Sequence, residues 1–108
     1  MQEALTAFAE MLEELDIPVS NGEFLDLTEC PYLTFFLTEN SSIYADGVPV
    51  CLNADVEIHL ITKGIRDYAL ENQLEELLTD NGYPFTSDYS QNVEQRVHEC
   101  IFMTTIME

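Results

Sequence analysis

Two histidines, His59 and His98, and three cysteines, Cys30, Cys51 and Cys100, are the side chains of this chain best suited to ligate a metal or attack a substrate. None of them forms an HxH, HExxH or CxxC pair, the spacings at which one short segment presents two ligands to zinc. If the strands carrying them pair in register, His59, His98 and Cys100 converge as zinc ligands. The other reading, adopted here, leaves each histidine solvent-facing or hydrogen-bonded on its own strand, since a metal site needs three or four converging ligands and a second shell. Carboxylates number 21 in 108 residues, so pairs fit for acid–base work arise anywhere and point to no pocket. A calcium loop needs oxygen ligands at close alternate positions around a glycine turn, and neither Glu39-Asn40-Ser41-Ser42 nor Asp80-Asn81-Gly82 extends into one. There is no GxSxG, Walker or GxGxxG segment; Gly22, Gly47, Gly64 and Gly82 each fit a turn or a helix cap. The expectation is a protein without catalytic, metal or cofactor-binding residues, and not an enzyme.

Charge is the unusual quantity. The 21 acids face only Lys63, Arg66 and Arg96, a formal net charge of −18. Such a surface repels phosphate, so direct binding to nucleic acid or to an anionic membrane is disfavoured. The acids are spread along the chain and form no tail, which predicts a uniformly acidic surface. A hydrophobic fraction of 46% is that of a chain that folds, and 108 residues fit one domain, 1–108. Three widely spaced cysteines with no secretory signal read as reduced thiols in a cytoplasm. With no basic leader and no long apolar run, the chain is expected to be neither exported nor membrane-embedded.

The elements are organised around Asn53 to Gly82. Val56, Ile58 and Leu60 alternate with Asp55, Glu57 and His59, the pattern of a half-buried strand. After a joint at Lys63-Gly64 the apolar spacing lengthens to Leu70, Leu74, Leu77 and Leu78, which predicts a helix with Asp67 and Glu71 at its positive end and Asn81-Gly82 as its cap. Upstream, Leu5, Phe8, Leu12 and Leu15 predict a helix over Met1 to Asp16, stopped by Pro18. Ile17-Pro18-Val19 begins a short extended segment, and Asn21-Gly22 is a turn before Phe24, Leu25 and Leu27. Tyr32 to Leu37 is apolar on both parities and reads as a central strand covered on both faces. Glu39-Asn40-Ser41-Ser42 reads as a polar break, Asp46-Gly47 as a turn, and Pro49 places Val48 to Leu52 at an edge or in a loop. The simplest arrangement is a hairpin from about Tyr32 to Thr62. Pro84 to Ser90 reads as a loop, and Asn92 to Met107 as an alternating strand too long to run without a bend, bulge or break. The expected fold is α+β: an antiparallel sheet with an N-terminal helix, a second helix after the central hairpin, and a closing C-terminal strand.

In this layout the amphipathic N-terminal helix, Ile17-Pro18-Val19, Pro31-Tyr32-Leu33-Thr34-Phe35, the hairpin carrying Tyr44-Ala45-Asp46-Gly47, the strand Val56 to Lys63, the Leu70 to Leu78 helix and the closing strand follow one another. That succession resembles the small tail-completion or tail-terminator proteins of long-tailed bacteriophages and prophages. The resemblance covers nearly the whole chain and rests on patterns of strand and helix. It implies a non-enzymatic head–tail joining protein without cofactors. Such a protein acts in the host cytoplasm and then in the virion, as a ring, usually six-fold, that caps the tail tube and meets the head connector. Sheet edges would then make the subunit contacts, and Lys63, Arg66 and Arg96 become candidate interface residues, because rings of such acidic subunits repel themselves unless those cations pair with acids across interfaces or counterions condense. A negative lumen would let DNA pass without sticking. Two alternatives stand beside it. One is an acidic DNA-mimic inhibitor of a host DNA-binding protein, which needs its carboxylates on one face near the spacing of B-DNA charges, about 1.7 Å of axis each. The other is a small bacterial adaptor.

Overall fold

The computed structural model describes residues 2–22, 31–45 and 48–107. The elements run α1 (Gln2–Leu12), β1 (Val19–Asn21), β2 (Tyr32–Ala45), β3 (Val48–Lys63), α2 (Tyr68–Asp80), β4 (Phe85–Asn92) and β5 (Val97–Met107), with a 3-10 turn, Glu13–Leu15, prolonging α1. The expected α+β class is the one observed. All five strands join one sheet in the order β1-β2-β3-β5-β4.

The sheet is mixed where an antiparallel one was expected, because β1 pairs with β2 in parallel, Val19 opposite Leu33 and Asn21 opposite Phe35. Ten residues separate Asn21 from Tyr32; a tight hairpin would have made the pair antiparallel, whereas a parallel pair needs the chain to return along its own length. Phe24, Leu25, Leu27, Cys30 and the Asp46-Gly47 turn lie outside the described residues.

Register decides which residues meet the helices. Leu60 pairs with Leu33 and Cys100, and Ile58 with Phe35 and Phe102, so residues of one parity from three strands share a face. That face is buried against Phe8 and Leu12 of α1 and Leu70, Leu74 and Leu78 of α2. Helix α1 stops at Asp16, whose φ of 58° is left-handed, ahead of Pro18. Helix α2 begins at Asp67, whose carboxylate accepts the Leu70 N–H at 3.0 Å, a side-chain N-cap. It ends where Gly82, at φ 80°, lets the Tyr83 N–H reach the Leu78 carbonyl and its own N–H reach that of Thr79, a Schellman closure. The cap in turn sets Tyr83 edge-on against Phe8, ring centroids 5.0 Å apart.

Three other expectations need correction. Strand β2 is interior, as expected, lying between β1 and β3, but it is not covered on both faces: Leu33 and Phe35 are buried and Phe36 is exposed. Its second parity is aromatic because Phe36 stacks on His59 across the outer face. The polar run from Glu39 does not break the strand; β2 passes through it with a register shift between Leu37 and Glu39, a bulge that absorbs one residue. Finally, Phe85 to Ser90 belongs to an edge strand, β4, paired along its length with β5. The break expected within Asn92 to Met107 is the turn at residues 93–96.

The β2–β3 hairpin outruns its neighbours. Strand β5 joins β3 only from Asn53 onward, and β1 joins β2 only at Leu33 to Phe35. The pairs from Ser42–Leu52 to Ala45–Val48 therefore form a two-stranded ribbon with no third strand among the described residues. Five residues of β3 at about 3.3 Å each make it about 16 Å long. Pro49 falls within it, where β3 has a free edge, as its missing N–H requires. The radius of gyration, 15.1 Å, exceeds the roughly 13 Å of a compact chain this size, consistent with an arm standing off the body.

Candidate functional site

All three cations of the chain lie at the end of the sheet where β3 gives way to α2. Lys63 closes β3 opposite Val97, and the Gly64 N–H donates to the Arg96 carbonyl at 2.8 Å. Gly64 holds φ at 88°, a conformation that suits glycine. Lys63 and Arg96 are exposed. Arg66 is different: its guanidinium donates from Nε to Glu71 Oε2 at 2.9 Å and from a terminal nitrogen to Oε1 at 2.8 Å. It also lies 3.7 Å from the Tyr89 ring centroid and 4.6 Å from that of Tyr68. Of the three candidate interface residues, two are therefore available to a partner and one is committed to the chain's own fold.

The Arg66–Glu71 pair joins the β3–α2 joint to the first turn of α2. Glu71 is 8% exposed. The Arg66 hydrogen bonds hold its carboxyl below the usual glutamate range against the opposing effect of burial, with a smaller contribution from the Cys100 thiol. The bidentate fork gives both geometry and charge to the contact. On its other side the cluster is closed by His98, whose Nε2 donates to the Gly64 carbonyl at 2.8 Å. Its Nδ1 is hydrogen-bonded to the Tyr89 hydroxyl, and the imidazole stacks on the Tyr89 ring. Both ring nitrogens are thus occupied by protein groups.

Register answers the zinc arrangement. His59 faces Ile101, whereas Cys100 faces Leu60, and neighbouring residues of a strand point to opposite sides. His59 stands on the outer face and Cys100 on the helix-covered one, so the two cannot share a metal. Among the described residues no group of three His, Cys, Asp or Glu side chains is placed to hold an ion. The Cys100 thiol is buried, and burial, with the nearby Glu71 carboxylate, pushes it up to about 12. A thiol reacts as thiolate, and a rise from 9.0 to about 12 lowers the thiolate fraction near neutrality on the order of 10³-fold. In a Cys30→Ser/Cys51→Ser background, iodoacetamide at pH 8 is expected to label Cys100 at least about 100-fold more slowly in the native chain than in urea; comparable rates would mean an open, ionisable thiol.

Neither a scan against protein-family models nor a search of curated proteins finds a match for this chain. A cleft of about 350 Å³ beside β4 has Asp55 as its one titratable lining residue, among Phe85, Met103 and Thr105. Asp55 accepts from the Thr105 hydroxyl at 2.9 Å. No base, nucleophile and orienting group converge there. Among the described residues no helix is long and apolar enough to cross a membrane.

Sequence reasoning grouped Lys63, Arg66 and Arg96 by their scarcity and missed the Arg66–Glu71 pair. Its five-residue spacing straddles a joint and a helix start, outside the i, i+4 rule for pairs within a helix. The alternation of His98, Cys100 and Phe102 did carry the common face of His98 and Cys100.

Proposed function

We propose that this chain is a non-enzymatic structural subunit of virion assembly. In this reading it caps a phage tail tube and joins it to the head connector as a ring, forming in the host cytoplasm and remaining in the virion tail. The observation that carries the reading is the ribbon beyond the third strand. An isolated two-stranded hairpin is marginal in water, and this one occupies the least charged stretch of a −18 chain: from Asn40 to Ala54, Asp46 is the single charged residue. Copies of the chain repel one another everywhere else more strongly than here. A second copy is accordingly the occupant proposed for the arm, and Lys63 and Arg96 are free to meet acids of a neighbour.

The DNA-mimic alternative requires carboxylates gathered on one face. Here Glu3, Glu10, Glu13 and Glu14 belong to the helical layer, as do Glu75 and Glu76, while Glu57 and Glu99 contact His59 on the outer face of the sheet. That distribution favours a solvating acidic surface over mimicry.

The test is electron microscopy of particles assembled without this chain by the virus or prophage that encodes it. Unjoined heads, or tails of abnormal length, are expected. Normal, infectious particles would contradict the assembly role.

A further inference from the structure

The outer face of the sheet has its own composition. No described helix lies on it, because α1 and α2 both pack on the opposite side. Across it, Phe36 pairs with Glu57 and Glu57 with Met103, while in the adjacent row His59 pairs with Ile101. Phe36 and Met103 are 36% and 48% exposed, an apolar pair on either side of a carboxylate. The Phe36 and His59 rings stack at 5.2 Å and 22°. His59 Nε2 lies 3.2 Å from Glu57 and Nδ1 3.2 Å from Glu99. A neutral imidazole has a single N–H, so it donates to one of these two carboxylates at a time and holds that one beside the aromatic surface.

We propose that this face, centred on Phe36, Glu57 and Met103 and bounded by Glu99, docks a segment of a different protein that is apolar in its middle and carries lysine or arginine at its rim. It rests on the reading of the chain as an assembly subunit and names the chemistry of one partner, at a surface separate from the arm. Charge complementarity selects the occupant. Lys63, at the end of β3, is the only lysine or arginine on the outward parity of the sheet strands, so the face offers carboxylates and aromatic surface with almost no positive charge. A nucleic acid is repelled, and a second copy would set these acids against their equals on another −18 chain. A guanidinium or ammonium, by contrast, gains the Glu57 and Glu99 carboxylates and the face of Phe36 together, while apolar side chains cover Met103 and Ile101. Phe36 and Met103, exposed on either side of Glu57, supply the apolar part of such a contact.

The test uses the full chain, labelled with ¹⁵N, and three synthetic helical peptides: an amphipathic leucine/lysine peptide, a serine/lysine peptide of equal charge, and a leucine/glutamate peptide. Amide shifts with the leucine/lysine peptide are expected to centre on Phe36, Glu57, His59, Ile101 and Met103. Binding is expected to weaken at least tenfold in Phe36→Ser/Met103→Ser, and measurably in Glu57→Gln, a milder change that leaves the packing in place. The proposal is overturned if the serine/lysine peptide binds as tightly, if shifts spread over the helical layer, if the leucine/glutamate peptide binds equally, if nothing binds, or if the variants bind unchanged. Because the measurement is made on unassembled chain, its failure leaves the arm and ring untouched, and failure of ring formation leaves this result standing.

Discussion

Phe8→Ala is expected to cost about 3–5 kcal/mol and to release α1 from the sheet before the sheet itself unfolds. Phe8 is fully buried and meets Phe35 at 6.0 Å and Tyr83 at 5.0 Å, both edge-on. It therefore joins α1 to β2 and to the segment leaving α2. Truncation removes the transfer free energy of the ring, leaves a cavity between two aromatics, and breaks the edge-to-face pairs. Since a domain of this size is stable by about 5–15 kcal/mol, the loss is a large share of the total. Urea denaturation gives the magnitude, and hydrogen exchange locates it: amides of α1 should lose protection first, with those of β3 and β5 following only at global unfolding. A loss under about 1 kcal/mol would mean that α1 is not seated as described.

Glu71→Ala is expected to destabilise by about 1.5–3 kcal/mol at pH 7, the range for hydrogen bonds to charged groups. It removes both acceptors of the Arg66 fork and frees the joint between β3 and α2. The pH dependence has a definite sign. Because the folded chain holds the Glu71 carboxyl below its ordinary value, the contribution is present above the ordinary glutamate range, about 4.3. It is lost as pH falls through the lower folded value. Acid acts in the opposite sense on the net charge of −18, since neutralising carboxylates relieves self-repulsion. Wild-type stability should therefore rise on mild acidification and fall in stronger acid. The difference between wild type and Glu71→Ala should shrink toward zero at the lowest pH. Urea titrations of both chains from pH 7 to 2.5 check this; a difference unchanged with pH would mean that the ion pair is not its source.

How much of this was legible depended on whether local pattern and long-range pairing agreed. In β3 they did: Val56, Ile58 and Leu60 alternate because one face meets the helices. In α2 the Asp67 cap and the Asn81-Gly82 exit are local chemistry, readable without knowledge of the neighbours. The reading failed where an element owes its form to a distant partner. Strand β4 buries little along Phe85–Asn92, with intervening serines, so its sequence looks like a loop although β5 pairs with every residue of it. Strand β1 is too short to declare its direction, which the return of the chain decides. The polar stretch from Glu39 to Ser42 resembles a break because it leads into a two-stranded ribbon that joins no third strand among the described residues. At the candidate site, the scarcity of cations singled out Lys63, Arg66 and Arg96 but not their division of labour. The outer-face cluster was legible only in part: Glu57 and His59 share a parity of β3, whereas Phe36 and Glu99 join them only through the register of β2 and β5.

The arm is where the assembly reading can be tested most directly. Ser41 and Asn53 are cross-strand partners, so residues 42–52 can be replaced by an Asn-Gly turn that closes the hairpin at its base. Sedimentation velocity of the full chain and this variant is then compared from low salt to about 1 M, where charges are screened beyond about 3 Å. The full chain is predicted to form one discrete closed oligomer as repulsion is screened, and the shortened chain to remain a monomer with the same helix content. A full chain that stays monomeric at every salt and concentration, or a shortened chain that assembles as well as the full one, would contradict the account.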